Sequence, residues 1–255
     1  MMMRRLLTPM IKAQRARVAG EFPKSSDYLW LFDLDNTLHD TSHQLFGHIS
    51  QGMTEAVMES LGVQEAEAHE IRARYWRRYG ATMIGMVKHH GISADTFLQR
   101  SHRFDVRPLI KAESGLRDKL GRLPGRKVLV TNAPLHYARA VLKHLGLLRH
   151  FHSLWSIEHL KIHGQYRPKP SPSILRHILA REGVSPSRAV LVEDTLENLR
   201  GARKAGLKTV HVFHPSTPFA HKRKGRPSYV DLRVNQVGDL LLSKRPMRGG
   251  RGQTD

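Results

Sequence analysis

Tyr28-Leu29-Trp30-Leu31-Phe32-Asp33-Leu34-Asp35-Asn36-Thr37-Leu38 is an apolar run that stops at two acids separated by a single residue. A short apolar run that ends abruptly in charge reads as a buried strand whose carboxyl end carries chemistry. The pattern recurs along the chain. Arg126-Lys-Val-Leu-Val-Thr131 is followed by Asn132, Ala189-Val-Leu-Val-Glu193-Asp194 ends on an acidic pair, and Lys208 to Phe213 forms a fourth such run. Between them lie stretches with helical spacing, His136 to Leu145 stopped by Gly146 and Leu196 to Ala205 stopped by Gly206. Strands alternating with helices, each strand apolar on both faces, predict an α/β fold: a doubly wound parallel sheet covered on both sides. In such sheets ligands bind beyond the carboxyl ends of the strands, so Asp33, Asp35, Thr131, Asn132, Glu193 and Asp194 are expected in one crevice.

The connection between the first two strands has a different texture. Gln44 to Leu61 and Gln64 to Tyr79 have helical periodicity and end at Gly62 and Gly80; shorter helical stretches follow at Thr82 to His89 and Ala94 to His102. This is a helical insert emerging just after Asp35, which places it over the crevice. The expected organisation is a basic extension at 1–26, a core built from 27–40 and 110–240, a helical cap at 41–109 and a Gly/Arg tail at 241–255.

The 255 residues contain no cysteine, which excludes disulfides, thiolate zinc sites and cysteine nucleophiles. No run approaches the roughly 20 apolar residues of a membrane span. With 42 Lys/Arg against 22 Asp/Glu the formal charge is +20, much of it at the ends: six basic residues against one acid over 1–26, and nine against three over 221–255. These flanks read as solvated, disordered tails; non-specific nucleic-acid contact is their sharper alternative. A cytoplasmic location is expected. The phosphate-binding GxxxxGK loop, HExxH and GxSxG are all absent.

Phe32-Asp-Leu-Asp-Asn-Thr-Leu38 resembles the DxDxT signature of the haloacid dehalogenase (HAD) superfamily of phosphatases. The later elements of that pattern match in order: Thr131, Lys169 within Arg167-Pro-Lys-Pro-Ser171, and Asp194 within Val-Glu-Asp-Thr. The resemblance covers roughly residues 28 to 213 and implies a HAD-like Rossmannoid core with an inserted cap. Tyr75-Trp-Arg-Arg-Tyr-Gly-Ala-Thr82, Thr131-Asn-Ala-Pro134 and Val192-Glu-Asp-Thr-Leu-Glu-Asn198 look most like its pyrimidine 5′-nucleotidase branch.

That resemblance implies a phosphomonoester hydrolase working through an aspartyl phosphate. Asp33 would be the nucleophile and Asp35 the acid and base, with both carboxylates on one side of the chain if the extended conformation persists to Asp35. Thr131 and the Asn132 amide would bind the phosphoryl oxygens, and Lys169 would supply fixed positive charge. Mg2+ would be held by Asp33, the Asp35 carbonyl and Asp194. Asn198 stands where many members carry a further acid, and Glu193 either binds the metal in its place or pairs with Lys169. The expected substrate is a mononucleotide, with Tyr75, Trp76 and Tyr79 as stacking candidates, although aromatics at that spacing more often pack helix on helix. The alternatives are a sugar-phosphate or phosphoglycolate phosphatase or phosphomutase, and a nucleic-acid-binding protein on a relic core.

Overall fold

The computed structural model describes residues 28–213 and 225–241. Both basic tails named above therefore fall largely outside the described residues. Strand β1 (Leu29–Phe32) is followed by four helices, α1 (Leu45–Leu61), α2 (Glu65–Tyr79), α3 (Thr82–His90) and α4 (Ala94–Ser101). The chain then runs through α5 (Leu116–Arg122), β2 (Arg126–Val130), α6 (Leu135–His144) and β3 (Ser153–Trp155). A small hairpin, β4 (Lys161–Ile162) with β5 (Gln165–Tyr166), leads to α7 (Pro172–Glu182), β6 (Ala189–Glu193), α8 (Leu196–Ala205), β7 (Lys208–Val212) and β8 (Leu232–Val234).

The six-stranded sheet has the order β3-β2-β1-β6-β7-β8, and all five pairings are parallel. Alternation along each strand sends side chains to opposite faces. Leu29, Leu31, Val128, Val130, Ala189 and Leu191 join one core with Ile174, Ile178, Leu199 and Ala202 from α7 and α8. Trp30, Phe32, Leu129, Val190 and Val192 join the other with Leu116, Leu120, Val141 and Leu142 from α5 and α6. The sheet is thus covered on both faces, as the continuous apolar strands require.

Helices α1 to α4 pack on one another within the β1-to-β2 connection. The glycines that stop them take the left-handed conformation that a side chain disfavours, Gly62 at φ 69° and Gly80 at φ 77°. Gly80 also brings the insert onto the core, since a Cβ there would lie 3.3 Å from Pro168 Cγ. The end of α2 therefore rests on the loop that carries Lys169.

Candidate active site

The central position of β1 decides the site. Its pairing with β6 continues one residue past the strand, where the Asp33 N–H donates to the Val192 carbonyl (3.0 Å). Across β1 the Thr131 N–H donates to the Trp155 carbonyl (2.9 Å) and extends the β2–β3 pairing in the same way. Asp33, Thr131, Glu193 and Asp194 are all buried at these strand ends. The strand does not persist to Asp35. Leu34 accepts from the N–H groups of both Thr37 and Leu38, and Asn36 turns the chain at φ 57°, a conformation asparagine tolerates better than most residues. The Asn36 side chain secures this turn by accepting from Ser42 N–H and Oγ, each at 3.0 Å. Asp35 is instead placed by a bridge to His39 and by side-chain bonds.

Lys169 is 3% exposed and its ammonium lies between two carboxylates, 2.6 Å from Asp33 Oδ1 and 2.7 Å from Glu193 Oε2. The loop bearing it is clamped by Asn132, whose amide oxygen accepts from the Lys169 N–H and whose amide nitrogen donates to the Lys169 carbonyl, both at 3.0 Å. The Asn132 side chain thus ties the β2 loop to the lysine loop. Thr131 Oγ1 accepts from the Ala133 N–H (3.0 Å), which leaves its hydroxyl proton to donate elsewhere. Glu193 is fully engaged. Its Oε2 accepts from Lys169 and from Asn198 Nδ2 (3.0 Å), and its Oε1 accepts from the Thr195 N–H (3.1 Å). Of the two arrangements open to Glu193, the structure has the pairing with Lys169, and Asn198 holds it there.

Carboxylate oxygens of Asp33, Glu193 and Asp194 lie within 4.8 Å of one another. Three buried acids face one buried cation, and the proton affinities record the imbalance. Burial and then the Glu193 charge push the Asp33 pKa up to about 8 against the pull of Lys169, with Asp35 adding repulsion. Asp194 is raised well above the ordinary range by burial and by the charges of Glu193 and Asp33. Burial acts on Glu193 in the same sense, but Lys169 and hydrogen bonds outweigh it and hold Glu193 low. Burial would lower Lys169, yet Asp33 and Glu193 hold it above its usual value. A hard divalent cation fits this donor set: three carboxylates against one ammonium are two positive charges short, and the free oxygens belong to Asp33 and Asp194.

Asp35 has a separate environment. Burial raises its proton affinity, but bonds from His39, Tyr137 and Thr41 bring it below the usual aspartate value. The Tyr137 phenol, 2.6 Å from Asp35 Oδ1, is driven well above its ordinary pKa by burial and by the Asp35 charge, so it remains a donor. Neither Tyr137, Thr41 nor His39 was recognisable as part of a site in the sequence; only the proximity of Thr41 and His39 to Asp35 hinted at it.

The stacking candidates of the insert have other occupations. Tyr75 is buried and bonds His90 Nε2 through its hydroxyl at 2.7 Å, while the Tyr79 hydroxyl meets His89 Nε2 at 2.6 Å. The ring of Tyr75 also fills the space beside Gly85, where a Cβ would come within 2.1 Å of it. These tyrosines hold α2 against α3, the packing role that their spacing more often signifies. Trp76 is 65% exposed on the outside.

The doubly wound sheet, with buried acids and a lysine gathered at its strand ends and a helical insert after its first strand, sets the class of fold, and comparison with known proteins supplies the family. Residues 29–206 match the haloacid dehalogenase-like hydrolases, and the chain belongs to that family. It is 25% identical over 205 residues to Phosphate metabolism protein 8 of Saccharomyces cerevisiae, covering 75% of this chain but only 63% of that protein's length. N-acetylmuramic acid 6-phosphate phosphatase of Pseudomonas aeruginosa is 25% identical over 207 residues, covering 75% of this chain and 85% of that one. Phosphoglycolate phosphatase 1 of the same species is 26% identical over 227 residues, covering 84% and 78%. Among solved structures, a HAD phosphatase from Thermococcus onnurineus superposes with a TM-score of 0.57 at 21% identity, covering 85% of this chain and 98% of its own. These comparisons show the superfamily and not the pyrimidine 5′-nucleotidase branch that the individual motifs resemble.

Proposed function

We propose that the protein hydrolyses phosphomonoesters of small phosphorylated carbohydrates or hydroxy acids, with magnesium as cofactor. The observation that carries this reading is the Lys169 ammonium seated between Asp33 and Glu193, beside the uncompensated Asp194, at the ends of neighbouring parallel strands. Substrate class follows the relatives whose names refer to an amino-sugar phosphate and to phosphoglycolate, in preference to the mononucleotide expected from the sequence motifs. The engagement of Tyr75 with His90 and of Tyr79 with His89 supports that preference, because it occupies two of the three rings proposed to stack on a base.

In this reading Asp33 attacks phosphorus and the bond to the leaving oxygen breaks as the Asp33–phosphorus bond forms. Asp35, once it has taken up a proton, gives it to the leaving oxygen, then takes one from the water that hydrolyses the aspartyl phosphate and frees Asp33. Lys169, the Thr131 hydroxyl and the backbone amide of Asn132 hold the phosphoryl oxygens. Asp33, the Asp35 carbonyl and Asp194 would hold magnesium, which supplies charge neutralisation for a dianion approaching acids. Glu193 and Asn198 keep the lysine aimed. The cap closes the crevice above the leaving group.

Phosphate release should be measured from 2-phosphoglycolate, hexose and amino-sugar phosphates and mononucleotides, with magnesium and with chelator. Turnover of a sugar or hydroxy-acid phosphate that needs magnesium and collapses in Asp33→Asn is the expected result. A preference for mononucleotides would overturn the substrate assignment, and Asp33→Asn retaining more than about a tenth of the rate would overturn covalent catalysis at this residue.

A further inference from the structure

Three side chains lie within hydrogen-bond distance of Asp35, and all three meet the same oxygen. Tyr137 Oη donates to Oδ1 at 2.6 Å, Thr41 Oγ1 donates at 2.9 Å, and His39 Nε2 lies 3.1 Å away. Among the described residues no side chain bonds Oδ2. A carboxyl oxygen offers two lone pairs, and the Tyr137 and Thr41 hydroxyls already fill both on Oδ1, which leaves no direction in which it could carry a proton of its own. Any proton that Asp35 takes up must therefore sit on Oδ2.

Tyr137 is the distant member of this trio. It lies 102 residues from Asp35 in sequence, on the first turn of α6, and its side chain is 1% exposed. The ring is fixed by His102, whose imidazole meets it edge to face at 5.2 Å, and by Phe104 at 6.5 Å. Both lie where the chain comes back from α4 to the core. The preceding loop holds Thr131 and Asn132, so a single short segment, 131–137, carries the phosphoryl-binding candidates at one end and the Asp35 anchor at the other.

We propose that Tyr137 is a positioning residue for proton transfer: its hydroxyl holds Asp35 Oδ1 so that the proton on Oδ2 is presented to the leaving oxygen. This rests on the hydrolase reading above. Tyr137 touches neither the phosphoryl group nor the leaving group and acts through Asp35. A phenylalanine there would keep the ring and its packing on His102 and Phe104 while freeing one of the three constraints on the carboxyl rotation.

The test is the leaving-group dependence of Tyr137→Phe. With a sugar phosphate, whose alkoxide must be protonated, kcat/KM should fall about tenfold or more; with p-nitrophenyl phosphate, whose leaving group departs unprotonated, it should fall less than about threefold. In an Asp35→Asn background the same substitution should cause no further loss with either ester, because residues that act as a unit are not additive. The melting temperature, measured alongside, should stay within a few degrees of the parent. Equal losses on both esters, or a full further loss in the Asp35→Asn background, would overturn the positioning role while leaving the hydrolase reading intact. An unsubstituted protein that turns over neither ester with magnesium would overturn the hydrolase reading, and this inference with it.

Discussion

Magnesium binding should expel protons, in a number set by the buried acids. Asp33 has its pKa pushed up to about 8 by burial and by Glu193, and Asp194 is raised as well. A carboxyl group must lose its proton to ligate a cation. With a pKa near 8, Asp33 is mostly protonated at pH 7, so each ion bound there displaces up to about one proton from Asp33, and Asp194, raised in the same direction, adds to that release. The sign follows from competition: affinity is full above these pKa values and falls as pH drops below them. From pH 7 to pH 6 the apparent affinity should fall by about tenfold through Asp33 alone. Titration calorimetry in two buffers of different ionisation enthalpy counts the protons directly, and repeating it at pH 6, 7 and 8 gives the slope. Asp33→Asn should release fewer. Heats that do not depend on the buffer, with one dissociation constant at pH 6 and pH 7, would refute the reasoning, because Asp33 and Asp194 would then be ionised before the metal arrives.

Lys169→Met leaves Asp33 and Glu193 without their shared cation, and breaking a buried ion pair from one side costs about 3–5 kcal/mol. Urea denaturation in chelator should show most of that loss at pH 8 and much less at pH 5, where the orphaned carboxylates take up protons. Gly201→Ala should place a Cβ 2.0 Å from the Pro170 carbonyl oxygen, displacing the lysine loop. About 1–3 kcal/mol of stability should go, together with most of the turnover, while circular dichroism is unchanged. His102 is lowered to about 4, by burial first and then by His136, against the opposing charges of Asp35 and Glu158. The unfolded chain binds this proton below about pH 6.5 and the native protein does not, so stability falls as pH drops from 6.5 towards 4, by at most about 3 kcal/mol. His102→Asn should flatten that part of the stability profile. Deleting residues 1–24 and 244–255, which contain none of the site residues, should leave turnover within about threefold, because exposed charges beyond about 8–10 Å are screened at physiological salt.

The parts of this molecule legible in its sequence are those with a local signature. Buried strands announce themselves as apolar runs, and the helices of the insert end within a residue or two of where Gly62, Gly80 and Gly91 take positive φ. Strands β3 and β8 have three residues each and are half-buried at or near the edges of the sheet, too short and too mixed in polarity for a periodic signal. Helix α7 does carry boundary signals, Pro172 at its start and Gly183 at its end. Asp33, Thr131, Lys169 and Asp194 could be anticipated from their motifs, whereas the partner of Glu193 could not, because two geometries satisfied the same residues. Tyr137 had no signal at all. Its place beside Asp35 arises only when α6 packs on the sheet, a contact between segments with no shared pattern.

The helical insert begins and ends within one connection between neighbouring strands, β1 and β2. Strand order, and with it the convergence of the three acidic or hydroxyl-bearing strand ends, does not depend on what that connection contains. A lineage can therefore lengthen, replace or reshape the insert through changes confined to one continuous stretch of gene, without disturbing the reaction beneath it. The seams of any such exchange are where it would be constrained. Thr41 lies on the outgoing seam and holds Asp35, while His102 and Phe104 lie on the returning one and hold Tyr137. Grafts that keep those three residues should retain the proton donor's alignment, and libraries built to redirect this scaffold should cut between residues 42 and 101.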